Sequence, residues 1–409
     1  MVVAIDAAPL PPAERVQALD VLRGLALFGV FLMNFVGFAG RDVMATQSQL
    51  LSLPTAGLDH AVEAVLRCAL LDKANTVFAF LFGLGFYLQM QRLDARGRDA
   101  QRIYRRRLTV LLLIGVAHTF LLWNWDILHL YALAGFLLLA MRSAANRTLV
   151  IAGILLAAFG RTAVKGLLAA SGSGAGDVGY SDADVLERQA LSAGGDYFGL
   201  VRHFFDNTMV NYLLSGFLLG WLAYALGRFF IGAWVGRRGW ITDAASFARG
   251  WRLVMRVCLP LGFALEGLTL LPKDAFLADF QNAGLLRTGL HLIAVPVLAA
   301  GYVAAIVTGL QGGAARLLGW FAPAGRMALT NYITESFVYA FVLFGVGPGL
   351  ALAGKIGTTV VLAITIGAYA LQVSFSRWWL ARFTYGPMEW LWRAFTYGVR
   401  PPFRRSAAS

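Results

Sequence analysis

Charge is what this sequence has least of. Only 14% of its 409 residues are Asp, Glu, Lys or Arg, against about 25% in a soluble domain. Hydrophobic residues make up 58%. In water such a chain would expose a large excess of apolar surface, which excludes a soluble enzyme as a class and makes lipid the main solvent. Cysteine is nearly absent too. Cys68 and Cys258 lie in or beside apolar runs without metal-ligand spacing, so they read as packing residues, with no disulfide framework and no metal site. Also missing are a Walker loop, a GxGxxG after a strand, a GxSxG elbow and an HExxH. LFGLGF at 81–86 carries two glycines, but in an apolar helix these permit close packing rather than phosphate binding. No internal repeat, long low-complexity tract or soluble domain is evident. The first twenty residues are too polar for a signal peptide, and the first apolar run lacks a small-residue cleavage site, so it is expected to be retained.

What is present is a series of apolar runs joined by basic links. The runs fall at roughly 21–40, 74–91, 108–125, 127–141, 148–169, 207–228, 253–272, 286–310, 326–346 and 355–377. Each is about as long as a bilayer core is thick. The net charge of +13 sits mainly in links on one side of this series. Arg92, Arg96, Arg98, Arg102, Arg105, Arg106 and Arg107 fill one link; Arg228, Arg237, Arg238, Arg249 and Arg252 fill another; six more arginines follow residue 376. That is the positive-inside pattern, which points to anionic headgroups and excludes a nucleic-acid partner. The link 170–206 is instead acidic and rich in Gly and Ser, and reads as a periplasmic loop. The expected fold is therefore all-α: one polytopic membrane bundle spanning 1–409, with about ten transmembrane helices and both termini cytoplasmic. Residues 1–20 form a cytoplasmic N-terminal segment. Residues 57–72 read as an outer amphipathic helix, and 378–409 as a cytoplasmic interfacial helix and basic tail, with Trp and Tyr at headgroup depth.

Ionisable groups inside apolar runs are costly and mark function. Arg23 and Arg326 lie at the cytoplasmic mouth, with Asn331 and Glu335 four apart on one face of the ninth run. Asn34, Lys73, His118, Asp126 and His60 lie at mid-depth or toward the outer side. Structural readings stand beside these: the arginines can snorkel to the interface, and His118 can be a satisfied core histidine. His129 and His291, isolated in sequence, read as structural.

Five segments carry a resemblance. LDVLRGLALFGVFLMN at 19–34, DKANTVFAFLFGLGF at 72–86, GVAHTFLLWNWDILHLYALAG at 115–135, GRMALTNY at 325–332 and YGPMEWLWRAFTYG at 385–398 resemble, in order, the YeiB-like family of bacterial inner-membrane proteins. The match runs from about residue 15 to about residue 400. At DKANT, Ala74 stands where the family commonly has Phe. The first-run motif is also similar to that of the wider transmembrane acyltransferase group, which includes surface-polysaccharide O-acetyltransferases and the lysosomal heparan-glucosaminide N-acetyltransferase. The polysaccharide enzymes place a His eleven positions after their Arg. Here that position is Asn34, as in the heparan enzyme, whose His on the next luminal segment is matched in this chain by His60.

That resemblance implies an acyltransferase. Arg23 and Arg326 would bind the phosphates of a cytoplasmic acyl-CoA, with Asn331, Glu335 and Lys73 completing the binding residues. His118 or His60 would be the general base, Asp126 its orienting carboxylate, and Asn34 the donor to the oxyanion. The acceptor would be a hydroxyl or amine on a glycan, small molecule or lipid. Acyl-CoA enters as co-substrate, with no permanently bound cofactor and no metal; the oligomeric state stays open, a homodimer among the options. The alternative is a transporter or lipid-handling protein using the same residues as gating pairs or a proton relay. A non-catalytic scaffold or sensor is the third class.

Overall fold

The computed structural model describes residues 16–41, 43–170, 181–271 and 283–405. Residues 1–15 of the N-terminal segment, 171–180 of the acidic link and 406–409 of the tail lie outside the described residues. The described backbone is helical, with isolated bridges only at Arg41–Ala45 and Phe383–Arg404. In chain order the helices are α1 Gln17–Ala39, α2 Gln47–Ser52, α3 Ala56–Ala69, α4 Lys73–Ala95, α5 Ala100–Leu121, α6 Leu128–Ala140, α7 Asn146–Ala170, α8 Asp182–Ala193 and α9 Tyr197–Asn207. A π-helical turn, Thr208–Leu214, precedes α10 Phe217–Arg238. Then follow α11 Ala248–Leu270, α12 Ala283–Leu310, α13 Ala315–Leu318, α14 Ala322–Arg326, α15 Ala328–Leu343, α16 Thr358–Arg382 and α17 Pro387–Tyr397.

Six of these, α1, α7, α10, α11, α12 and α16, are long and apolar enough to cross a membrane. α6 is a shorter apolar helix. The burial pattern fits lipid as the surrounding solvent. On α7 the buried side is made by Leu149, Gly153 and Gly160, while Ile151, Ile154, Leu155 and Phe159 face outward. On α11 only Gly262 and Glu266 are buried, while Leu253, Val257 and Leu261 are exposed. A water-soluble helix would turn those faces around. α1 lies inside the bundle, packed on α4, α14, α15 and α16.

Three expectations are corrected. The sixth run, placed at 207–228, is broken at Gly216, whose φ of 74° ends the π-turn, and the long helix runs Phe217–Arg238 instead. Arg228 therefore leaves the basic link and is buried within α10, where it donates to the Thr76 hydroxyl at 2.9 Å and lies 3.2 Å from the centre of the Tyr224 ring. The acidic link is not all loop, since its described part holds α8 and α9. Ser181 and Asp184 form a capping box at the start of α8, and the Ser181 hydroxyl and amide hold the Asp184 carboxyl below its ordinary value. The C-terminal interfacial segment is divided: residues 378–382 end α16 and α17 is a separate helix.

α3 is the expected amphipathic helix, with Leu66 its one buried residue. It also caps α16. Asp59 accepts from the Thr359 amide and the Thr55 hydroxyl, both at 2.7 Å. Burial pulls the Asp59 pKa upward, but these hydrogen bonds outweigh it and the net shift is downward.

Candidate functional site

The chain reverses between α5 and α6, and that reversal builds the centre of the site. α5 ends at Leu121, where the amides of Leu122 and Trp123 both bond the His118 carbonyl at 2.9 Å. Asp126 follows, and α6 begins two residues later. Gly115 makes the reversal tight, because a Cβ there would collide with the His129 backbone. Asp126 is thus carried back to His118: Nδ1 of His118 lies 2.9 Å from Asp126 Oδ1, and Nε2 lies 2.9 Å from Ser336 Oγ on α15. A carboxylate only accepts, so in the neutral ring Nδ1–H donates to Asp126 and Nε2 accepts the Ser336 hydroxyl proton. The second Asp126 oxygen accepts from the amide and Nδ1–H of His129 at 2.9 and 3.0 Å. Nε2 of His129 accepts from the Tyr212 hydroxyl at 3.2 Å. Asp126 is 1% exposed, His118 4% and Ser336 1%. A carboxylate so enclosed is tolerable because both its oxygens are occupied.

Beneath this centre lies a cavity of about 390 Å³. Arg23, Arg92, Arg96, Arg107, Arg326 and Arg393 stand in its walls alongside Asp20 and Glu389. Leu111, Leu128 and Tyr332 line it too. The Tyr332 ring centre is 5.5 Å from that of His118, and its hydroxyl accepts from the Ile127 amide at 3.2 Å. Tyr332 therefore belongs both to the cavity wall and to the surroundings of the histidine.

Close backbone contact sets the basic wall. A Cβ on Gly325 would strike the Asp20 carbonyl, and one on Gly24 the Phe321 carbonyl, so α1 and α14 meet backbone to backbone. That contact puts Arg326 and Arg23 on one wall. Arg23 is within 3.3 Å of Asp20. Glu389 then ties α17 to α15. Its carboxylate accepts from the Leu329 and Thr330 amides at 2.7 and 3.0 Å and from the Thr330 hydroxyl at 2.5 Å, capping α15. Burial raises the Glu389 pKa against the pull of those hydrogen bonds.

A second cluster joins α4, α11 and α12. Lys73 is fully buried, 2.7 Å from Glu266 Oε1 and 2.9 Å from the Arg67 carbonyl. His291 bridges the same Glu266 oxygen at 2.9 Å and Asp72 at 3.2 Å. Asp72 caps α4 in a left-handed conformation, φ 62°, a position that Asp tolerates better than most residues.

The residues expected from sequence are thus spread over several places. Arg23 and Arg326 share the basic cavity, and His118 and Asp126 are bonded above it. Asn331 is committed internally, donating to the Ala324 carbonyl and Ser376 hydroxyl at 3.2 and 3.1 Å. Glu335 is fully buried and, among the described residues, neither of its oxygens has a hydrogen-bond partner. Asn34 has a buried Nδ2 that completes no hydrogen bond of full geometry among the described residues, although its side chain lies against the Tyr339 hydroxyl. Lys73 is enclosed in an ion pair rather than facing a cavity. His60 is exposed on α3, and no hydrogen bond joins it to the His118 cluster. Two histidines isolated in sequence have close partners in space: His129 completes the shell of Asp126 and His291 bridges two carboxylates, both internal contacts in keeping with their structural reading. Ser336 and Glu266 were missed. Glu266 carries the signal that singled out Glu335, an acid inside an apolar run; Ser336 carries none.

Residues 235–399 match the family described as "Protein of unknown function (DUF418)". The chain is 29% identical to Uncharacterized protein YxaH of Bacillus subtilis (strain 168), over 94% of each chain. It is 30% identical to Uncharacterized protein YeiB of Escherichia coli (strain K12), over 95% of this chain and 98% of that one. The chain belongs to the YeiB-like family. Three of its YeiB-like motifs are physical neighbours. GRMALTNY supplies the α15 N-terminus that Glu389 of YGPMEWLWRAFTYG caps, and its Gly325 is the residue that meets the first-run motif at Asp20. Ala74, where the YeiB-like pattern commonly has Phe, abuts Gly29 of α1.

Proposed function

We propose that the protein is a membrane acyltransferase of the bacterial inner membrane, moving an acyl group from cytoplasmic acyl-CoA to a hydroxyl or amine on a periplasmic or lipid-linked acceptor. The observation that carries this reading is the cavity: six arginines line it, and so does Tyr332, whose ring is tilted against that of His118 at 5.5 Å. Arginine forks suit the phosphates of CoA, and the apolar throat suits a pantetheine arm. His118 then acts as general base, oriented by Asp126, with Asn34 Nδ2 as the oxyanion donor. Replacing Arg23 or Arg326 with Ala is expected to weaken acetyl-CoA binding by about 1.5–3 kcal/mol, the range for hydrogen bonds to charged groups. Lys should restore only part, lacking the planar fork. Isothermal titration of the purified protein decides it; full affinity in both folded Ala variants sinks the phosphate clamp.

The same reading places ten spans, α4, α5, α6 and α15 joining the six longer helices, with both termini cytoplasmic. Reporter fusions after residues 100, 240 and 405 should then read cytoplasmic, and one after 185 periplasmic. A periplasmic signal at 240 would remove this topology.

Glu335 favours a second reading. A buried carboxyl without a partner is expensive to ionise, and a proton-coupled transporter would use such a group as its carrier. The two readings separate on whether an acylated product forms.

A further inference from the structure

We propose that Ser336 is a covalent acyl carrier, so that the acyl group crosses the protein as a seryl ester and not in a single direct transfer. This rests on the acyl-CoA reading above and goes one step further. The observation is the direction in which the histidine points. Its Nδ1 is held by Asp126 and its Nε2 by the Ser336 hydroxyl, both at 2.9 Å, in a pocket where all three residues are at most 4% exposed. Serine, histidine and carboxylate in that order form a nucleophile, its base and the group that orients the base. A histidine meant to deprotonate an acceptor directly would keep Nε2 open toward it. Here Nε2 is occupied by a hydroxyl of the chain itself.

Position supports the same role. Ser336 lies four residues beyond Tyr332 on α15, hence on the same helix face as a residue that lines the arginine-rich cavity. The thioester would arrive from the arginine-lined cavity, and the Tyr332 ring in its wall would have to move aside. An acceptor on the other side of the bilayer would meet the ester rather than the CoA. A relay at the midpoint removes the need for both substrates to occupy one buried pocket together.

The chemistry balances without any further reactant. Ser336 Oγ attacks the thioester carbonyl carbon and passes its proton to His118 Nε2, while Asp126 stabilises the imidazolium. The C–S bond breaks, and CoA leaves as the thiol after taking that proton. The acceptor hydroxyl or amine then attacks the ester carbonyl, giving its proton to His118. As the ester C–O bond breaks, the proton returns to Ser336 Oγ.

Purified protein incubated with radiolabelled acetyl-CoA or palmitoyl-CoA, denatured and digested, should carry one acyl group on the peptide containing Ser336. Ser336→Ala should lose both that label and the release of CoA thiol, while retaining acetyl-CoA binding. Ser336→Cys should regain a label that neutral hydroxylamine now removes, because it is a thioester. CoA release at the wild-type rate by Ser336→Ala, or an acyl group found elsewhere on the chain, overturns the relay and leaves the acyltransferase reading standing. Absence of any label together with absence of acyl-CoA binding by the wild-type protein overturns both.

Discussion

Lys73→Met is expected to destabilise the protein by about 3–5 kcal/mol, the cost of removing one partner from a buried ion pair. Lys73 has no exposed surface and the Glu266 side chain is 3% exposed, 2.7 Å away. Without the ammonium, Glu266 keeps His291, at 2.9 Å, as its remaining basic neighbour among the described residues. The effect should therefore fall at the low end of that range, near 3 kcal/mol. Lys73→Met combined with Glu266→Leu removes both charges and should recover most of the loss, since a well-packed apolar pair can replace a buried ion pair. Unfolding midpoints in detergent for the wild type and the two variants make the comparison. A single variant as stable as the wild type would show that the pair contributes nothing to holding α4 against α11.

His118→Gln is expected to cut acyl transfer by about 100-fold or more, the usual worth of a general base. Glutamine can still donate to Asp126 but cannot take up a proton at neutral pH. The fold should survive, because Asp126 retains two hydrogen bonds from His129, at 2.9 and 3.0 Å. Acetyl-CoA binding should be unchanged, since the arginines lining the cavity are untouched. Single-turnover release of CoA thiol separates these effects from binding. A variant that turns over normally would leave His118 a structural residue.

What could be read in advance divides along a physical line. Helices in lipid announce themselves by length and apolarity, and six of the ten expected runs hold helices long and apolar enough to cross a membrane. The boundary at 207–228 failed because hydropathy does not register a left-handed glycine: Gly216 breaks the helix inside a mainly apolar stretch. The pairing of His118 with Asp126 was within reach, since only a chain reversal can bring together two residues eight apart across a helix end. Ser336 was not legible. A serine costs little in lipid and leaves no mark in composition, and α15 reaches His118 from a point 218 residues away in sequence. Lys73 and His60 show the opposite failure. A charge inside an apolar run signals that a partner exists, and for Lys73 that partner is Glu266 rather than a ligand. His60 was singled out as an ionisable group on the outer amphipathic segment and by resemblance, and it is exposed on α3 while His118 is buried.

The claim that carries everything else is that an acyl group passes from CoA through this chain. Its most direct measurement is in proteoliposomes, with acetyl-CoA labelled in the acetyl group supplied on the arginine-rich side and hydroxyl or amine acceptors of membrane glycans and lipids enclosed on the other. The account expects stoichiometric free CoA thiol outside and acetylated acceptor inside, both abolished by His118→Gln. Proton or solute flux through the wild-type protein, with acetyl-CoA left intact and no acetylated product on either side, would contradict it and leave the buried Glu335 carboxyl as the centre of a transporter.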